Sequence, residues 1–371
     1  MKISLNKNDL QIAIQKLSKA IPTRTTLPIL NCVLFQASKS ETKLRGTDLE
    51  ITIIVTLPAS VEEEGSSAVP IQKLLSITNE LPEGRITIST DEQNRITIFS
   101  ELGSYDLMGK PVDEFPEPPE IKEKSPLAID SKLLLKIIKT TSFVISADDL
   151  KPAITGLFIK IEEKRLTAVA TDGHRLVRYT INDYKTDKFT GEVIIPRKFL
   201  HLLSVITADK NNTKLWIGKN HVTVTGENIT AITRIIDERY PDYESVIPKE
   251  NKKTLIVNKE GFFGAVKRVS IFSNKMTHQV SIRSEDKKVL IKTEDPETAS
   301  KGHEEMECSF SGEPLTVGFN ANYLKDILSH VESENLVIKM DTPISATLFE
   351  GESEDKNRDI TMLLMPIRLN D

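Results

Sequence analysis

Leu5-Asn6-Lys7-Asn8-Asp9-Leu10 decides the fold, because it returns as Ile129-Asp130-Ser131-Lys132-Leu133-Leu134 and again as Val257-Asn258-Lys259-Glu260-Gly261-Phe262, at offsets of 124 and 128. Each copy sets a polar N-cap candidate ahead of a helical pattern. A second series keeps nearly the same period: Val69-Pro70-Ile71-Gln72-Lys73-Leu74-Leu75, Ile195-Pro196-Arg197-Lys198-Phe199-Leu200 and Phe319-Asn320-Ala321-Asn322-Tyr323-Leu324. In two of these, proline stands where a first helical turn tolerates it. Acidic, aromatic and proline residues recur in Asp113-Glu114-Phe115-Pro116 and Asp237-Glu238-Arg239-Tyr240-Pro241-Asp242-Tyr243, where they mark extended exits from a unit. The chain therefore reads as three copies of one unit of about 120 residues.

Each copy offers two helices, with β-patterned runs between and after them such as Ile86-Thr87-Ile88-Ser89-Thr90, His221-Val222-Thr223-Val224-Thr225 and Val289-Leu290-Ile291-Lys292-Thr293. Their alternation suits sheets with one buried face, which predicts an α+β fold of three similar domains at 1–118, 127–245 and 253–371. Linkers are expected near 116–126, stiffened by Pro116, Pro118, Pro119 and Pro126, and near 244–254. Trp216 reads as a strand core residue.

With 39% hydrophobic and 28% charged residues, the 371-residue chain can bury a core in each domain and is too apolar for disorder. Cys32 and Cys308 are its only cysteines, which excludes a disulfide framework and a four-thiolate zinc site and points to a reducing compartment. Polar residues from Asn6 to Asp9 precede any long apolar run, so no signal peptide is expected, and no run reaches the roughly 18 apolar residues of a membrane span. The reading is a cytoplasmic protein with no membrane association, no cofactor and no metal.

The net charge of −5 excludes a uniformly basic coat protein for nucleic acid but leaves room for a local basic surface. The six helical segments, taken as 5–20, 69–80, 129–144, 195–206, 257–272 and 319–330, together carry +8, so the rest of the chain carries −13. In the first helix Leu10, Ile14 and Leu17 form an apolar stripe opposed by Lys16 and Lys19. In its second copy Leu134 and Ile138 oppose Lys132, Lys136 and Lys139. In the third Phe262, Val266 and Val269 oppose Lys267 and Arg268. Three register-matched basic faces on an acidic protein suit a surface that meets phosphates without reading bases.

Thr171-Asp172-Gly173-His174-Arg175-Leu176, the closing Met365-Pro366-Ile367-Arg368-Leu369, and Arg24 before Thr25-Thr26-Leu27-Pro28-Ile29-Leu30, taken with the threefold repeat, resemble the bacterial DNA polymerase III beta subunit family of replicative sliding clamps. The resemblance spans the whole chain. It implies a head-to-tail homodimer whose six domains form a ring, with helices lining the inside and β-sheets outside, around double-stranded DNA held without sequence specificity. It also implies a clamp loader, the replicative polymerase and other clamp-binding-motif proteins as partners. The family's peptide pocket carries over to Ile154, Thr171, Gly173, His174, Arg175, Leu176, Pro241, Val246, Ile344, Leu364, Met365, Pro366, Ile367, Arg368 and Leu369. Ser245 stands where the family often has an arginine. DNA contact falls to Arg24, Lys16, Lys19, Lys136, Lys139, Lys151, Arg197, Lys198, Lys267 and Arg268, with Lys151-Pro152-Ala153-Ile154 lacking the aromatic residues some members carry. The dimer interface falls to Lys73, Tyr105 and Leu107 facing Ile271 and Phe272, with Glu297, Glu304 and Glu305 as acidic partners for Lys73.

Catalytic machinery is sparse. Asp172 and His174 lie two residues apart with no nucleophile elbow, and His303-Glu304-Glu305-Met306-Glu307 follows a zinc-protease helix only until Glu307 takes the place of the second histidine. No phosphate loop or dinucleotide fingerprint occurs. Three classes compete: a non-catalytic DNA-encircling processivity factor, a protein-only scaffold that binds short linear motifs, and a hydrolase centred on His174. Basic helix faces favour the first, because a scaffold has no need of them.

Overall fold

The computed structural model describes residues 1–119, 127–185, 190–206, 214–352 and 357–369. The first repeat runs β1 (Lys2–Asn6), α1 (Lys7–Leu17), β2 (Cys32–Ala37), β3 (Thr42–Thr47), β4 (Ile51–Leu57), β5 (Ser60–Glu63), β6 (Gly65–Pro70), α2 (Ile71–Glu80), β7 (Arg85–Thr90), β8 (Arg95–Ser100) and β9 (Gly103–Met108). The second runs β10 (Leu127–Ala128), α3 (Ser131–Thr141), β11 (Gly156–Glu162), β12 (Arg165–Thr171), β13 (Arg175–Asn182), β14 (Gly191–Pro196), α4 (Arg197–Ile206), β15 (Lys214–Ile217), β16 (His221–Thr225) and β17 (Ile229–Arg234). The third runs β18 (Lys253–Asn258), α5 (Lys259–Ser270), β19 (Gln279–Glu285), β20 (Lys288–Asp295), β21 (Ser300–Glu307), β22 (Ser309–Ser311), β23 (Leu315–Asn320), α6 (Ala321–His330), β24 (Asn335–Met340), β25 (Thr347–Gly351) and β26 (Arg358–Leu364). Apart from the short β5 and β22, the three orders correspond element by element.

The helices begin later than the sequence pattern suggested, because the apolar residue that opens a segment is spent on a strand in every case but Ile129. Leu5 and Asn6 pair with Ile86 and Arg85 of β7, and Val257 and Asn258 pair with Leu336 and Asn335 of β24. The polar residue that follows then caps the helix, as the repeat predicts. Asn6 Oδ1 accepts from the Asn8 N–H at 2.8 Å, Asp130 Oδ1 from Lys132 at 2.8 Å, and Asn258 Oδ1 from Gly261 at 2.9 Å. Pro70 and Pro196 end strands rather than enter helices. Each apolar stripe is buried: Leu10, Ile14, Leu17, Leu134, Phe262 and Val266 are fully enclosed, with Ile138 and Val269 nearly so. Lys19 lies past the end of α1, so it belongs to a turn and not to the helix. Redrawn on the observed helices, the total charge is again +8. Trp216 is half-buried, and its neighbour Leu215 supplies the core contact of β15. The proposed linker at 116–126 lies outside the described residues from 120 onward.

Strands of successive repeats share sheets. An eight-stranded sheet runs β10-β15-β16-β17-β4-β3-β2-β6, so the second repeat joins the first where β17 pairs antiparallel with β4, from Ile229↔Val55 to Thr233↔Ile51. A nine-stranded sheet runs β14-β11-β12-β13-β26-β25-β24-β18-β22, joined where β13 pairs with β26, from Arg175↔Leu364 to Ile181↔Arg358. Sheets of five strands (β5-β1-β7-β8-β9) and four (β21-β20-β19-β23) complete the first and third repeats. By packing, the chain makes two compact units, Met1–Leu135 with Lys198–Ile235 and Lys136–Arg197 with Ile236–Asp371. These units cut across the middle repeat because that repeat gives one half-sheet to each neighbour.

Asn320 Oδ1 accepts from two N–H groups, those of Asn322 and Tyr323, at the start of α6. Asn320→Ala should lower the urea midpoint of the unit containing the third repeat by the equivalent of about 1 kcal/mol, whereas Asn320→Asp should leave it nearly unchanged.

Candidate functional site

The turn from β12 to β13 is built by its own side chains. Thr171 Oγ1 donates to the Arg175 carbonyl at 2.6 Å and accepts from the Gly173 N–H at 3.1 Å. Asp172 Oδ1 accepts from the N–H groups of His174 and Arg175 at 2.9 and 2.8 Å. These bonds hold Gly173 at φ +88°, a conformation that favours glycine. The Asp172 carboxylate then turns to the Arg175 side chain: Oδ2 lies 3.0 Å from Nε and 2.9 Å from Nη2. Nη1 of the same guanidinium donates to Asp326 Oδ2 of α6 at 2.6 Å, and the group lies 4.3 Å over the Tyr323 ring. Arg175 is buried, so each of these partners is needed to hold its charge. His174 points outward and stacks its ring on Tyr323 at 5.7 Å.

The closing segment leaves β26 beside this turn. The Met365 N–H donates to the His174 carbonyl, and the Ile367 N–H to Gly318 of β23, each at 2.9 Å. Beneath lies an apolar cluster of Ile154, Phe158, Val169, Leu176, Ile194, Tyr240, Ala346, Leu348 and Leu363, with Ile236, Tyr243 and Ile247 against it. Val246, Ile344 and Met365 are large apolar residues left 50, 60 and 39% exposed around the same junction. Gly173, His174, Pro241 and Arg368 are exposed, and Pro366, Ile367 and Leu369 are half-buried. Leu364 is fully enclosed and lies opposite Arg175 in the register of β13 with β26. Phe158, Val169, Ile194, Tyr240, Ala346 and Leu348, which the sequence pattern did not single out, form the buried floor beneath this junction. Ser245 Oγ donates to the Asp242 carbonyl at 2.8 Å and so caps a short turn.

Among the cations assigned to DNA, Arg24, Lys19, Lys151, Arg197 and Lys198 are exposed and Lys16 is half-exposed. Several already face carboxylates. Lys136 and Lys139 lie 3.4 and 3.7 Å from Glu332, Lys198 pairs with Asp48, and Arg268 grips Glu304 at 2.7 Å. Lys267 holds its ammonium 3.7 Å over the Phe263 ring. Such exposed pairs are worth about 0 to 1 kcal/mol, so phosphates can compete for these cations. Of the residues assigned to a dimer contact, Ile271 and Phe272 are 75 and 45% exposed, Lys73 is exposed and Tyr105 half-buried. Leu107 is buried in its own sheet, Glu304 is held by Arg268, and Glu305 by Lys288 at 2.6 Å. Glu297 lies 3.5 Å from the Asn274 amide. The acidic partners suggested for Lys73 thus have partners of their own.

No hydrolytic relay forms at His174: the Asp172 carboxylate is taken by Arg175 and by backbone N–H groups, and the imidazole rests on an aromatic ring. His303 to Glu307 lie in β21, an extended strand, which removes the helical spacing a zinc-protease motif requires.

Three α+β repeats joined edge to edge through shared antiparallel sheets define a DNA-clamp fold. The sliding clamp of Bacillus subtilis matches it with a TM-score of 0.94 at 28% identity, and the DNA polymerase III beta subunit of Pseudomonas aeruginosa with 0.93 at 26%, each over 100% of both chains. The beta sliding clamp of Vibrio cholerae is 28% identical over 372 residues, again covering both chains in full. Models of the DNA polymerase III beta subunit match in series: the N-terminal domain at residues 1–119, the central domain at 128–242 and the C-terminal domain at 244–368. The chain belongs to the DNA polymerase III beta subunit family, and it is a sliding clamp by fold and by kinship.

Asp172→Ala removes acceptors from two N–H groups and from a buried guanidinium, and should cost about 3 kcal/mol in urea unfolding. Asp172→Asn keeps Oδ1 for the backbone and should cost about half as much.

Proposed function

We propose that two copies of this chain close head to tail into a ring around duplex DNA, and that the ring tethers the replicative polymerase and other partners through the groove beside Thr171–Leu176. A clamp loader opens it. The role is non-catalytic and cytoplasmic.

The observation that carries this reading is the pairing of edges. By element order, β4, β13 and β21 are counterparts, and so are β9, β17 and β26. Two of the three pairings these sets allow are made within the chain, β4 with β17 and β13 with β26. Their remaining counterparts, β21 and β9, are the outer strands of their sheets among the described residues. A strand edge presents main-chain donors and acceptors that invite a partner. Pairing β21 of one copy with β9 of another repeats the internal junction, and two copies close the circle through a heterologous contact. Phe272 packs against Gly302 of β21, and the exposed Ile271 beside it adds apolar surface at that edge.

The basic helices support a lining that attracts phosphates while the remainder of the molecule, acidic in sum, repels them. Contacts of this kind are weak, salt-dependent and indifferent to sequence, which suits a protein that slides. Retention then comes from closure rather than affinity. Tethering keeps a bound polymerase at high effective concentration near its substrate. In the groove, the apolar cluster and the exposed Val246, Ile344 and Met365 suit aliphatic and aromatic anchors of a short peptide, each worth about 1.5 to 3 kcal/mol when buried.

Ile271→Asp should convert the particle from a dimer to a 41.6 kDa monomer in sedimentation at micromolar concentration. A wild-type protein that sediments as a monomer there would overturn the ring. Met365→Asp should leave the dimer mass unchanged and weaken a fluorescent peptide bearing an aliphatic-aromatic motif at least tenfold; undiminished affinity would remove the groove assignment.

A further inference from the structure

The turn that builds the candidate groove occurs a second time, in the first repeat. Thr47-Asp48-Leu49-Glu50-Ile51 joins β3 to β4. Thr47 Oγ1 donates to the Ile51 carbonyl at 2.8 Å and accepts from the Leu49 N–H at 3.0 Å, while Asp48 Oδ1 accepts from Glu50 and Ile51 at 3.0 and 2.7 Å. Leu49 takes φ +79° where the second repeat has Gly173. The neighbouring strand repeats the geometry as well: the Arg234 N–H donates to the Glu50 carbonyl at 3.1 Å, as Met365 does to His174.

The side chains beside this turn differ in kind. Arg45 stands two residues before Thr47, the place Val169 holds before Thr171, and Phe115 stands where the second repeat has Tyr240. The Arg45 side chain is only 5% exposed. Its guanidinium carbon lies 5.2 Å over the Phe115 ring, and Nη1 donates to Glu117 Oε2 at 3.2 Å. Nε and Nη2 are buried and, among the described residues, meet no hydrogen-bond acceptor. Those two nitrogens form one edge of the guanidinium fork, the edge that grips a carboxylate with two parallel N–H groups. Arg175 shows the same edge satisfied, with Nε and Nη2 on Asp172 and Nη1 on Asp326. An arginine cannot relieve burial by losing its proton, so an unpartnered fork is costly and draws an anion.

We propose that the Nε–Nη2 edge of Arg45 is a binding site for one carboxylate on the first-repeat sheet. A single negative charge suits the site better than a phosphate, because Asp113, Glu114 and Glu117 of the adjoining segment already supply negative charge. Glu117, 85% exposed and held through Nη1 alone, is the chain's own carboxylate on this guanidinium, and its negative charge opposes an incoming one on the neighbouring edge. The repeat thus turns an apolar anchoring position into an acid-selective one.

The test follows the Arg45 Nε–H resonance of the full-length 15N-labelled protein, identified by its loss in Arg45→Lys. Sodium acetate should shift it saturably, with a half-saturation at least fivefold lower in Glu117→Gln, and equal sodium chloride should not. No acetate-specific shift in either protein, or the same response to chloride, would overturn the site. A blocked Gly-Glu-Gly peptide gives the source: saturation below the acetate concentration supports an acidic protein segment, and saturation only above it supports a small free carboxylate. Both orders uphold the carboxylate site.

Discussion

An open strand edge carries main-chain donors and acceptors that demand partners, and this demand organises the whole chain. Each repeat makes two half-sheets, and neither closes on itself. The fourth strand of one repeat is completed by the last strand of the next, at β4 with β17 and at β13 with β26. Five successive register pairs hold the first of these junctions and seven hold the second, so each is a continuation of the sheet rather than a contact between finished surfaces. The middle repeat, committed on both sides, has no packing unit of its own.

The same constraint places the candidate groove. Where β13 meets β26, the turn after β12 and the chain leaving β26 must run side by side, and the Met365 N–H bonded to His174 fixes their spacing. Thr171 and Asp172 satisfy the turn internally, and Asp172 also anchors Arg175 against α6. The first repeat uses the same bonds around Thr47 and Asp48 but presents Arg45 instead of Val169. The third repeat departs from both: between β20 and β21 it is Ala299 that takes positive φ, at +52°, and Asp295 caps the turn through the Glu297 N–H and Thr298. Hydrogen bonds from Asn274 and Thr298 hold the Asp295 carboxyl below its ordinary range.

Local signals were legible in the sequence, and long-range ones were not. Asn6, Asp130 and Asn258 announce their helices because capping is a property of a few adjacent residues, and the stripes of Leu10, Phe262 and their partners follow from helical period alone. Local period starts α1 and α5 too early, because Leu5 and Val257 are claimed by strands 81 and 79 residues away. The pairing of Lys136 with Glu332, and of Arg45 with Glu117, joins residues far apart in the chain, so no local pattern foretells which cations are already engaged.

Confinement by a closed ring is measured most directly by loading the protein onto a circular nicked plasmid with a clamp loader, removing unbound protein, and cutting the plasmid once. Dwell time on the intact circle should be long and only weakly dependent on salt, and linear DNA should lose the protein rapidly over its ends. Equal dwell times on circular and linear DNA would contradict confinement and leave only adhesion.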